Sequence, residues 1–384
     1  MTSSQDWDPR APEVLADPIA AYDQMRRHCP VAHSDTLPHA VFRHADVMRI
    51  LLDPQTFSSQ ASRHVSVPNS MDPPEHTAWR QVIEPYFSAG RMAAFEPVCR
   101  RLCADLITAL PRHAQVEIMS GLAHPFALRM QCAFLGWPDS LHAPLHQWID
   151  KKNAATLSGD TEALAAVATE FDETIRALLR VRREAGDQAP DDVTTQLLRD
   201  SVQGRPLAEH EIVSILRNWT VGELGTMASS IGIIAHYLAA HPDLQEHLRR
   251  HPEQVRAAND EILRIHAPLI ANRRATTCPV QLGGKPVPAG ERITLIWASA
   301  NRDETVFGDP DAFRLDRDPD LNLLYGAGIH ACPGAPLARL EIEAMIQALL
   351  AGTQSLQPVP GRPPVPAIYP ASGFRQLMLS VVRV

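Results

Sequence analysis

The stretch Leu324-Tyr-Gly-Ala-Gly-Ile-His-Ala-Cys-Pro-Gly334 places one cysteine, Cys332, among three glycines, Gly326, Gly328 and Gly334. Glycine has no side chain and accepts positive φ, so such a loop can fold closely around a sulfur atom and aim backbone N–H groups at it. Residues 335–350 have helical apolar spacing after an early proline, and the positive end of that helix would face the sulfur. The pattern predicts a cysteine presented to a metal. The alternative is an inert buried cysteine beside a turn.

Composition agrees with a large enzyme. The chain has 384 residues, 45% of them hydrophobic and 21% charged, with a formal net charge of −8. This length allows two average domains or one large core built around a cofactor. No internal repeat or inter-domain linker is visible, so we expect one domain over residues 1–384. Negative charge without a basic run argues against nucleic-acid binding. The polar first residues and the lack of a long apolar run predict neither a signal peptide nor a membrane anchor, and therefore a cytoplasmic protein.

The other cysteines are scattered and none has Cys-x-x-Cys spacing: Cys29, Cys99, Cys103, Cys132 and Cys278. This usage fits a reducing compartment. Cys99 and Cys103 lie four residues apart on a predicted helix, which is compatible with a metal-binding pair or with a buried helix face.

Helical periodicity dominates most of the chain. It predicts helices over residues 12–27, 45–52, 74–110 (interrupted near 88–90), 117–135, 140–156, 161–185, 189–201, 208–238, 243–265 and 335–350. The helix over 208–238 is unusually long. Strands are predicted at 39–43, 270–276, 279–282 and 292–296, the later ones separated by glycine and proline turns. The predicted fold class is mainly α with a small β region.

The cysteine loop resembles the haem-binding signature of the cytochrome P-450 family, Phe-x-x-Gly-x-x-x-Cys-x-Gly. Gly328, Cys332 and Gly334 are in register with it, and Tyr325 stands where the family usually has phenylalanine. A phenol hydroxyl needs a hydrogen-bond partner if it is buried. The resemblance implies the cytochrome P-450 fold, with a long central helix over one b-type haem (iron protoporphyrin IX). It also implies that Cys332 is the proximal iron ligand.

Further segments match the family in the expected order. Glu261-Ile-Leu-Arg264 matches its Glu-x-x-Arg motif, to which the resemblance assigns a stabilising role against the loop 309–317. On an exposed helix the same two charges would form an ordinary surface pair. Ala300-Asn-Arg-Asp303 and Phe307-Gly-Asp-Pro-Asp311 match the connector that leads to the cysteine loop.

Four residues stand at positions that the resemblance assigns to the haem propionates: His76, Arg80, Arg274 and His330. His76 and Arg80 lie four residues apart in Asp72-Pro-Pro-Glu-His-Thr-Ala-Trp-Arg80 and would share one helix face. Buried propionates need cationic or hydrogen-bonding partners of this kind. Taken singly, each residue could be a surface charge, and Arg273 leaves open which of the two neighbouring arginines acts.

The long helix departs from the family pattern. Members usually carry an acid followed by a threonine, a pair that helps to deliver protons to dioxygen, whereas this chain has Val221-Gly-Glu-Leu-Gly-Thr226. An alignment without gaps from His241-Pro-Asp243 places Thr226 at the threonine position of the family and Gly225 at the position of its acid. A register shifted by one residue would put Gly225 on the threonine and Leu224 on the acid.

Two residues of this segment are candidate catalytic residues. Thr226 either takes the role of the family's threonine or simply bonds back to a carbonyl of its own helix. Glu223 lies one turn before Thr226, at i, i+3 spacing. It is either a displaced proton donor or one partner of a surface salt bridge.

The resemblance implies a haem-thiolate monooxygenase, an oxidoreductase that inserts one oxygen atom of O2 into its substrate. No flavin- or iron–sulfur-binding extension follows Cys332, so a separate ferredoxin and ferredoxin reductase, with NAD(P)H as electron source, are the expected donors. One alternative is a peroxide-driven peroxygenase on the same fold, suggested by the missing acid beside Thr226. The other is a non-catalytic haem sensor or electron carrier, for which the chain carries no output segment.

The family layout implies a distal wall drawn from 54–71, the middle of the long helix, 269–271 and the tail near 372–374. The candidate pocket residues are Val221, Gly222, Gly225, Leu269, Ile270 and Phe374. These segments combine apolar side chains with few charges, which favours a small hydrophobic or aromatic substrate over a polyanion.

Overall fold

The structure is a computed structural model that describes residues 6–61 and 66–384. Helices make up most of it, so the predicted fold class is confirmed. In chain order they are α1 (Pro12–Ala16), α2 (Pro18–His28), α3 (His44–Leu52), α4 (Glu75–Ile83), α5 (Ala89–Ala109), α6 (His124–Leu135), α7 (His142–Ser158), α8 (Thr161–Ala185), α9 (Val193–Leu197), α10 (Glu209–Ala240), α11 (Pro242–Arg250), α12 (Val255–His266), α13 (Trp297–Ala300), α14 (Glu304–Phe307) and α15 (Ala335–Gly352). Among the described residues, no helix combines the length and apolarity needed to cross a membrane.

The strands are short and form small sheets beside the helical body. They are β1 (Val31–Ala32), β2 (Ala40–Val41), β3 (Phe57–Ser58), β4 (His113–Glu117), β5 (Ser201–Val202), β6 (Arg205–Pro206), β7 (Ala271–Thr276), β8 (Val280–Leu282), β9 (Lys285–Val287), β10 (Arg292–Ile296), β11 (Thr353–Pro358), β12 (Val365–Pro366), β13 (Phe374–Gln376) and β14 (Met378–Arg383). One sheet has the order β1-β2-β10-β7-β3 and another the order β11-β14-β4. The pairs β5–β6, β8–β9 and β12–β13 are antiparallel.

Helix α10 forms the wall on which the candidate site is built. It packs against α6, α8, α12 and α15. Residues 230–235 are all buried, so every side of the helix there faces protein. Each large apolar side chain buried in this way contributes roughly 1.5–3 kcal/mol, which fixes the helix as a rigid support.

A buried ionic network ties α12 to the segment that leads to the cysteine loop. Arg264 donates to both carboxylate oxygens of Glu261, at 2.7 and 2.9 Å, and both side chains are buried. Arg264 also donates to the carbonyl oxygens of Asn301 and Pro310, and Arg317 donates to Glu261 at 2.7 Å. Because both side chains are buried, Glu261 and Arg264 are not an exposed surface pair. They hold the connector and the loop 309–317 against α12.

Proline and local capping explain where predicted helices and the structure differ. The helix predicted over 12–27 breaks at Asp17, whose carboxylate accepts from the N–H of Ala20 and caps α2. The helix predicted over 243–265 divides into α11 and α12 around the 3₁₀ turn Pro252–Gln254. The helix predicted over 189–201 is helical only at Val193–Leu197 and gives way to the β5–β6 hairpin. The predicted bounds of these three helices were therefore wrong.

Candidate functional site

The cysteine loop takes the backbone shape that two of its glycines predict. Gly326 and Gly328 have positive φ, 72° and 68°. A Cβ atom on Gly328 would lie 2.5 Å from the carbonyl oxygen of Leu51, so the loop packs against α3 too closely for a side chain. Gly334 has a φ of −80°, which any residue can adopt, so backbone conformation does not explain why this position is a glycine. The N–H of Cys332 donates to the carbonyl of Tyr325 at 2.8 Å and closes the loop.

The Cys332 sulfur lies in a recess at the start of α15. The residue has accessible surface, but protein atoms surround the sulfur, and the backbone N–H groups of Gly334 and Ala335 lie close enough to influence its ionisation. Burial raises the pKa of the Cys332 thiol, with a smaller contribution from Glu223, and the two N–H donors and Arg80 oppose the rise. The loop by itself therefore favours the thiol, and a bound metal cation would ionise it.

The structure brings the four candidate propionate ligands together beside this loop. The rings of His76, on α4, and His330, in the loop, lie 4.1 Å apart. Arg80 donates to the carbonyl of Ala331 at 2.8 Å, and the charge of Arg274 on β7 acts on both histidines. Burial, reinforced by neighbouring positive groups, lowers the pKa of His76 and lowers that of His330 to about 3. Both rings are therefore neutral at neutral pH.

This cluster of donors fits the anionic edge of a haem. The Nε2 atom of His76 is buried, and none of the described residues supplies it with a hydrogen-bond partner. The neighbouring carboxylate, Asp72, accepts from Ser58 and Ser59 instead. Arg80 already pairs with Glu84 at 2.9 Å, but the uncommitted Nε2 atom of His76 and the buried guanidinium of Arg274 match what a propionate requires, so the residues present fit the cofactor that the resemblance implies.

The structure also separates the two neighbouring arginines of β7. Arg274 is 6% exposed, and burial lowers its pKa. Arg273 is exposed and hydrogen-bonds with Tyr369. Of the two, Arg274 is the one placed in the donor cluster.

Tyr325 keeps its aromatic ring against the loop but gains no partner for its hydroxyl. The guanidinium of Arg339 lies over the ring, 4.5 Å from its centroid, and the phenol oxygen is buried without a hydrogen-bond partner. Burial raises the pKa of Tyr325, so the phenol keeps its proton. The predicted need for a partner is not met by the described residues.

In the middle of α10, Thr226 lies beside two glycines, Gly222 and Gly225. The Thr226 hydroxyl donates to the carbonyl of Gly222 at 2.5 Å, the back-bonded arrangement foreseen as one alternative. Neither Gly222 nor Gly225 has any atom within 4 Å of the position of a Cβ, so both lie against open space. Val221 is half-buried and Leu224 is buried on this helix.

Glu223 forms no salt bridge with the residues that the structure describes, and its buried carboxyl group contradicts the surface salt bridge offered as one alternative. Its Oε1 atom is sealed from solvent, and its carboxyl group is within hydrogen-bonding distance of Glu341 on α15, which is fully buried. Burial raises the pKa of Glu223 to about 7. Burial and the neighbouring charge of Glu223 raise the pKa of Glu341 well above its usual range.

The remaining pocket candidates belong to segments outside α10. Leu269 is exposed and Ile270 is buried, both between α12 and β7. Phe374 is half-buried and contacts the ring of His236, with centroids 4.8 Å apart, more than two helical turns beyond Thr226. Within the predicted distal segment 54–71, residues 62–65 lie outside the described residues.

Sequence reasoning missed Glu341 and a contact between α10 and the segment 66–71. Ser214 accepts from the N–H of Val67 at 3.0 Å, and Asn218 donates to its carbonyl at 3.0 Å. The available signals were polar residues in apolar surroundings: Ser214 and Asn218 at i, i+4 spacing, and Glu341 between Leu340 and Ile342.

Comparison with known proteins agrees with this geometry. A family profile described as cytochrome P-450 matches residues 122–367. The chain is 29% identical to cyclomarin C epoxidase CymV of Salinispora arenicola over 343 residues, 85% of this chain and 86% of the epoxidase. It is 28% identical to linalool 8-monooxygenase of Pseudomonas putida over 333 residues, 81% of each chain. The solved structure of CYP109Q5 from Chondromyces apiculatus matches with a TM-score of 0.87 at 29% identity, over 98% of both chains.

The matched residues contain both the middle of α10 and the whole cysteine loop. The named relatives catalyse oxygen insertion, which favours an enzyme over a haem sensor. On these grounds the chain belongs to the cytochrome P-450 family and is a monooxygenase of that family.

Proposed function

We propose that this protein binds one b-type haem through Cys332 and inserts one oxygen atom of O2 into a small hydrophobic or aromatic substrate. One observation carries the proposal. A recessed cysteine sulfur lies at the start of α15, where the backbone N–H groups of Gly334 and Ala335 act to lower its pKa, beside an uncommitted buried nitrogen of His76 and the buried Arg274. This combination matches what an iron porphyrin with two carboxylates requires of its protein.

The residues around the recess have distinct tasks. When bound, the haem supplies dioxygen activation and oxygen transfer. Cys332 would ligate the iron, and His76, Arg80, Arg274 and His330 would hold the propionates. Glu261 and Arg264 keep the connector in place, and Tyr325, Gly328 and Gly334 shape the loop.

Thr226 is the candidate residue for hydrogen bonding near the reacting oxygen. Its hydroxyl hydrogen is committed to the carbonyl of Gly222. The lone pairs of Oγ1 are therefore free to accept a hydrogen bond from a group in the open space beside Gly222 and Gly225. This supports the register that places Thr226, and not Gly225, at the threonine position.

The substrate class rests on the apolar candidates and on the relatives. Val221, Leu269, Ile270 and Phe374 carry no charge, and linalool 8-monooxygenase is named for a hydrophobic substrate. CYP109E1 from Bacillus megaterium was solved in complex with testosterone, and this chain matches it at a TM-score of 0.87 and 25% identity, over 96% of this chain and 98% of that one. A hydrophobic substrate is consistent with both.

We further propose a separate ferredoxin and ferredoxin reductase, with NAD(P)H, as the electron source, and a cytoplasmic location. All six cysteines are free, as a reducing compartment would keep them. Reconstitution with several ferredoxin–reductase pairs, scored by NAD(P)H oxidation that depends on substrate, tests the donor.

A peroxygenase remains the second candidate because Gly225 provides no acid beside Thr226. Against it, the segment Val221–Thr226 contains no basic residue that would capture a substrate carboxylate. Turnover with hydrogen peroxide, but none with ferredoxin, reductase and NAD(P)H, would favour the peroxygenase.

The decisive experiment for the main proposal uses the purified, haem-containing protein. The reduced protein under carbon monoxide should show the spectrum of a thiolate-ligated haem. Difference spectra against small aromatic and alkyl compounds should then show a spin-state shift for compounds that enter the pocket. A carbonyl spectrum without thiolate character would overturn the proposed ligation.

A further inference from the structure

Two carboxyl groups meet between α10 and α15, and the part of the chain that the structure describes places no cation beside them. Glu341 is 0% exposed, and neither of its oxygens has a hydrogen-bond donor. The Oε1 atom of Glu223 is sealed in the same way, but Glu223 as a residue retains some accessible surface. Within the described residues, no arginine, lysine or histidine contributes to the electrostatics of either carboxyl group.

The groups that face this pair are uncharged or acidic. The thiol of Cys99, on α5, faces Glu341. The charge of Glu223 acts weakly on the phenol of Tyr325 and on the sulfur of Cys332 in the cysteine loop. A hydrogen bond to Cys103, together with burial, raises the pKa of the Cys99 thiol, so it carries no charge. None of these groups can compensate a negative charge on the pair.

Two buried carboxylates in contact cannot both be ionised, because their charges repel and neither is solvated. A proton between the two groups satisfies both, since the protonated carboxyl donates to the carboxylate. The pair must therefore hold at least one proton at neutral pH. The directions of the pKa shifts agree, with Glu341 as the proton donor and Glu223 as the acceptor.

Packing alone does not call for acidic residues at this place. Leu340 and Ile342, on either side of Glu341, are buried apolar residues, and an apolar residue of similar volume would avoid the cost of burying a carboxyl group. Polar groups that a fold keeps at the expense of stability are expected at functional sites.

The position of the pair relates it to Thr226. Glu223 lies one turn before Thr226 on α10, and residues at this spacing are neighbours on the helix surface. Glu341 has no accessible surface, and the accessible surface of the pair belongs to Glu223. A proton held here has an exit on the side of Glu223, and Gly225 offers no carboxyl group of its own.

We propose that Glu341 is a positioning residue that shares a proton with Glu223 in a hydrogen bond. The two carboxyl groups together then serve as the proton donor, a role that Gly225 cannot fill. The inference rests on the proposed monooxygenase function. The pair releases one proton through Glu223 to water or to the Thr226 hydroxyl, and takes one proton back from solvent. No electrons move in this step, and charge is restored when the proton returns.

Glu341→Gln is the sharpest variant, because glutamine keeps the volume and a hydrogen-bond donor but has no proton to transfer. Glu223→Gln is the second variant, on the side with accessible surface, in case the first fails to retain haem. Glu343→Gln is the control, because it lies on the same helix and pairs only with the exposed Arg256 and with Gln347.

The haem-loaded proteins are reduced photochemically in the presence of O2, which makes the assay independent of the natural electron donor. Hydrogen peroxide released per O2 consumed is measured in H2O and in D2O. We expect both glutamine variants to raise the peroxide fraction several-fold and to change the solvent isotope effect, and Glu343→Gln to match the parent protein.

Infrared spectroscopy supplies a readout that does not depend on turnover. The parent protein should show a neutral carboxyl C=O band near neutral pH that shifts in D2O and is absent in Glu341→Gln. A Glu341→Gln protein that matches the parent in both the infrared band and the isotope effect would overturn the inference and leave the monooxygenase proposal intact. A parent protein that shows no thiolate carbonyl spectrum would overturn the monooxygenase proposal itself.

Discussion

The imidazole rings of His76 and His330 lie 4.1 Å apart, although one belongs to α4 and the other to the cysteine loop. Two imidazoles in contact avoid repulsion only while neutral, and the lowered pKa values of both keep them so. The Nε2 atom of His330 lies 3.0 Å from the carbonyl oxygen of Met71, whereas that of His76 has no partner among the described residues. The contact thus offers one uncommitted buried nitrogen beside Arg274, which suits an anionic ligand.

Replacing donors of this cluster should weaken haem retention. Leucine at His76, Arg80 or Arg274 removes a hydrogen bond to a buried anion, at a cost of roughly 1.5–3 kcal/mol each. The Arg80/Arg274 double variant should lose more than either single variant, measured as haem transfer to an apoprotein acceptor. Arg273→Leu is the matched control, because it lies next to Arg274 but points to Tyr369. Unchanged haem occupancy in the double variant would count against the cluster.

Cys332→Ser should abolish thiolate ligation and oxygen activation, because serine offers the same geometry without a sulfur. The measurement is the spectrum of the reduced carbon monoxide complex. Cys278→Ser, at the other cysteine that is exposed, should leave that spectrum unchanged. A thiolate spectrum that survives in Cys332→Ser would show that another residue is the ligand.

Thr226→Ala should consume NAD(P)H and O2 with much of the flux diverted to hydrogen peroxide, because the hydroxyl that faces the open space is lost. Product formed per NAD(P)H oxidised is the measurement. Thr226→Ser keeps the hydroxyl and should restore most of the coupling. Normal coupling in Thr226→Ala would refute the register and turn attention to Gly225 and ordered water.

The buried acid pair should make stability fall as pH rises. Burial raises the pKa of Glu223 from 4.5 to about 7 and raises that of Glu341 well above its usual range. Above pH 4.5 the unfolded chain releases protons that the folded pair keeps, so the folded state is progressively disfavoured up to about pH 7. The effect of Glu223 alone is up to about 3 kcal/mol.

The measurement is the unfolding midpoint against pH for the parent protein and the Glu223→Gln/Glu341→Gln double variant, both loaded with haem. The double variant should be more stable near neutral pH and show a flatter profile through this window. Equal slopes in the two proteins would mean that the pair does not carry a shared proton. Glu343→Gln should keep the slope of the parent.

Arg264→Ala should destabilise the fold by about 3–5 kcal/mol, because it leaves the buried carboxylate of Glu261 without its bidentate partner. Arg317 still donates to Glu261, which places the expected value towards the low end. The exposed Arg314, which pairs with Asp316, is the control, and Arg314→Ala should shift the unfolding midpoint little. A similar shift in both variants would contradict a special role for the buried pair.

The local pattern of the sequence determined more of the helices than of the strands. The helix over 161–185 and the strand over 292–296 were predicted at the observed bounds, because periodicity and turn residues mark both ends. The strands β4, β11 and β14 were not predicted. β14 pairs with both β4 and β11, whose residues are far apart in the chain, and such pairing leaves little trace in local periodicity.

What the sequence by itself determined is the chemistry of the site: a cysteine among glycines at a helix start, and cationic and imidazole donors at family-like positions. Only the tertiary structure decided that Arg274 and not Arg273 joins His76, because the alternation of side chains along β7 buries one and exposes the other. It alone decided that Glu223 meets Glu341. That contact depends on how α10 and α15 pack, and the ionisation of each carboxyl group depends on the burial that this packing creates.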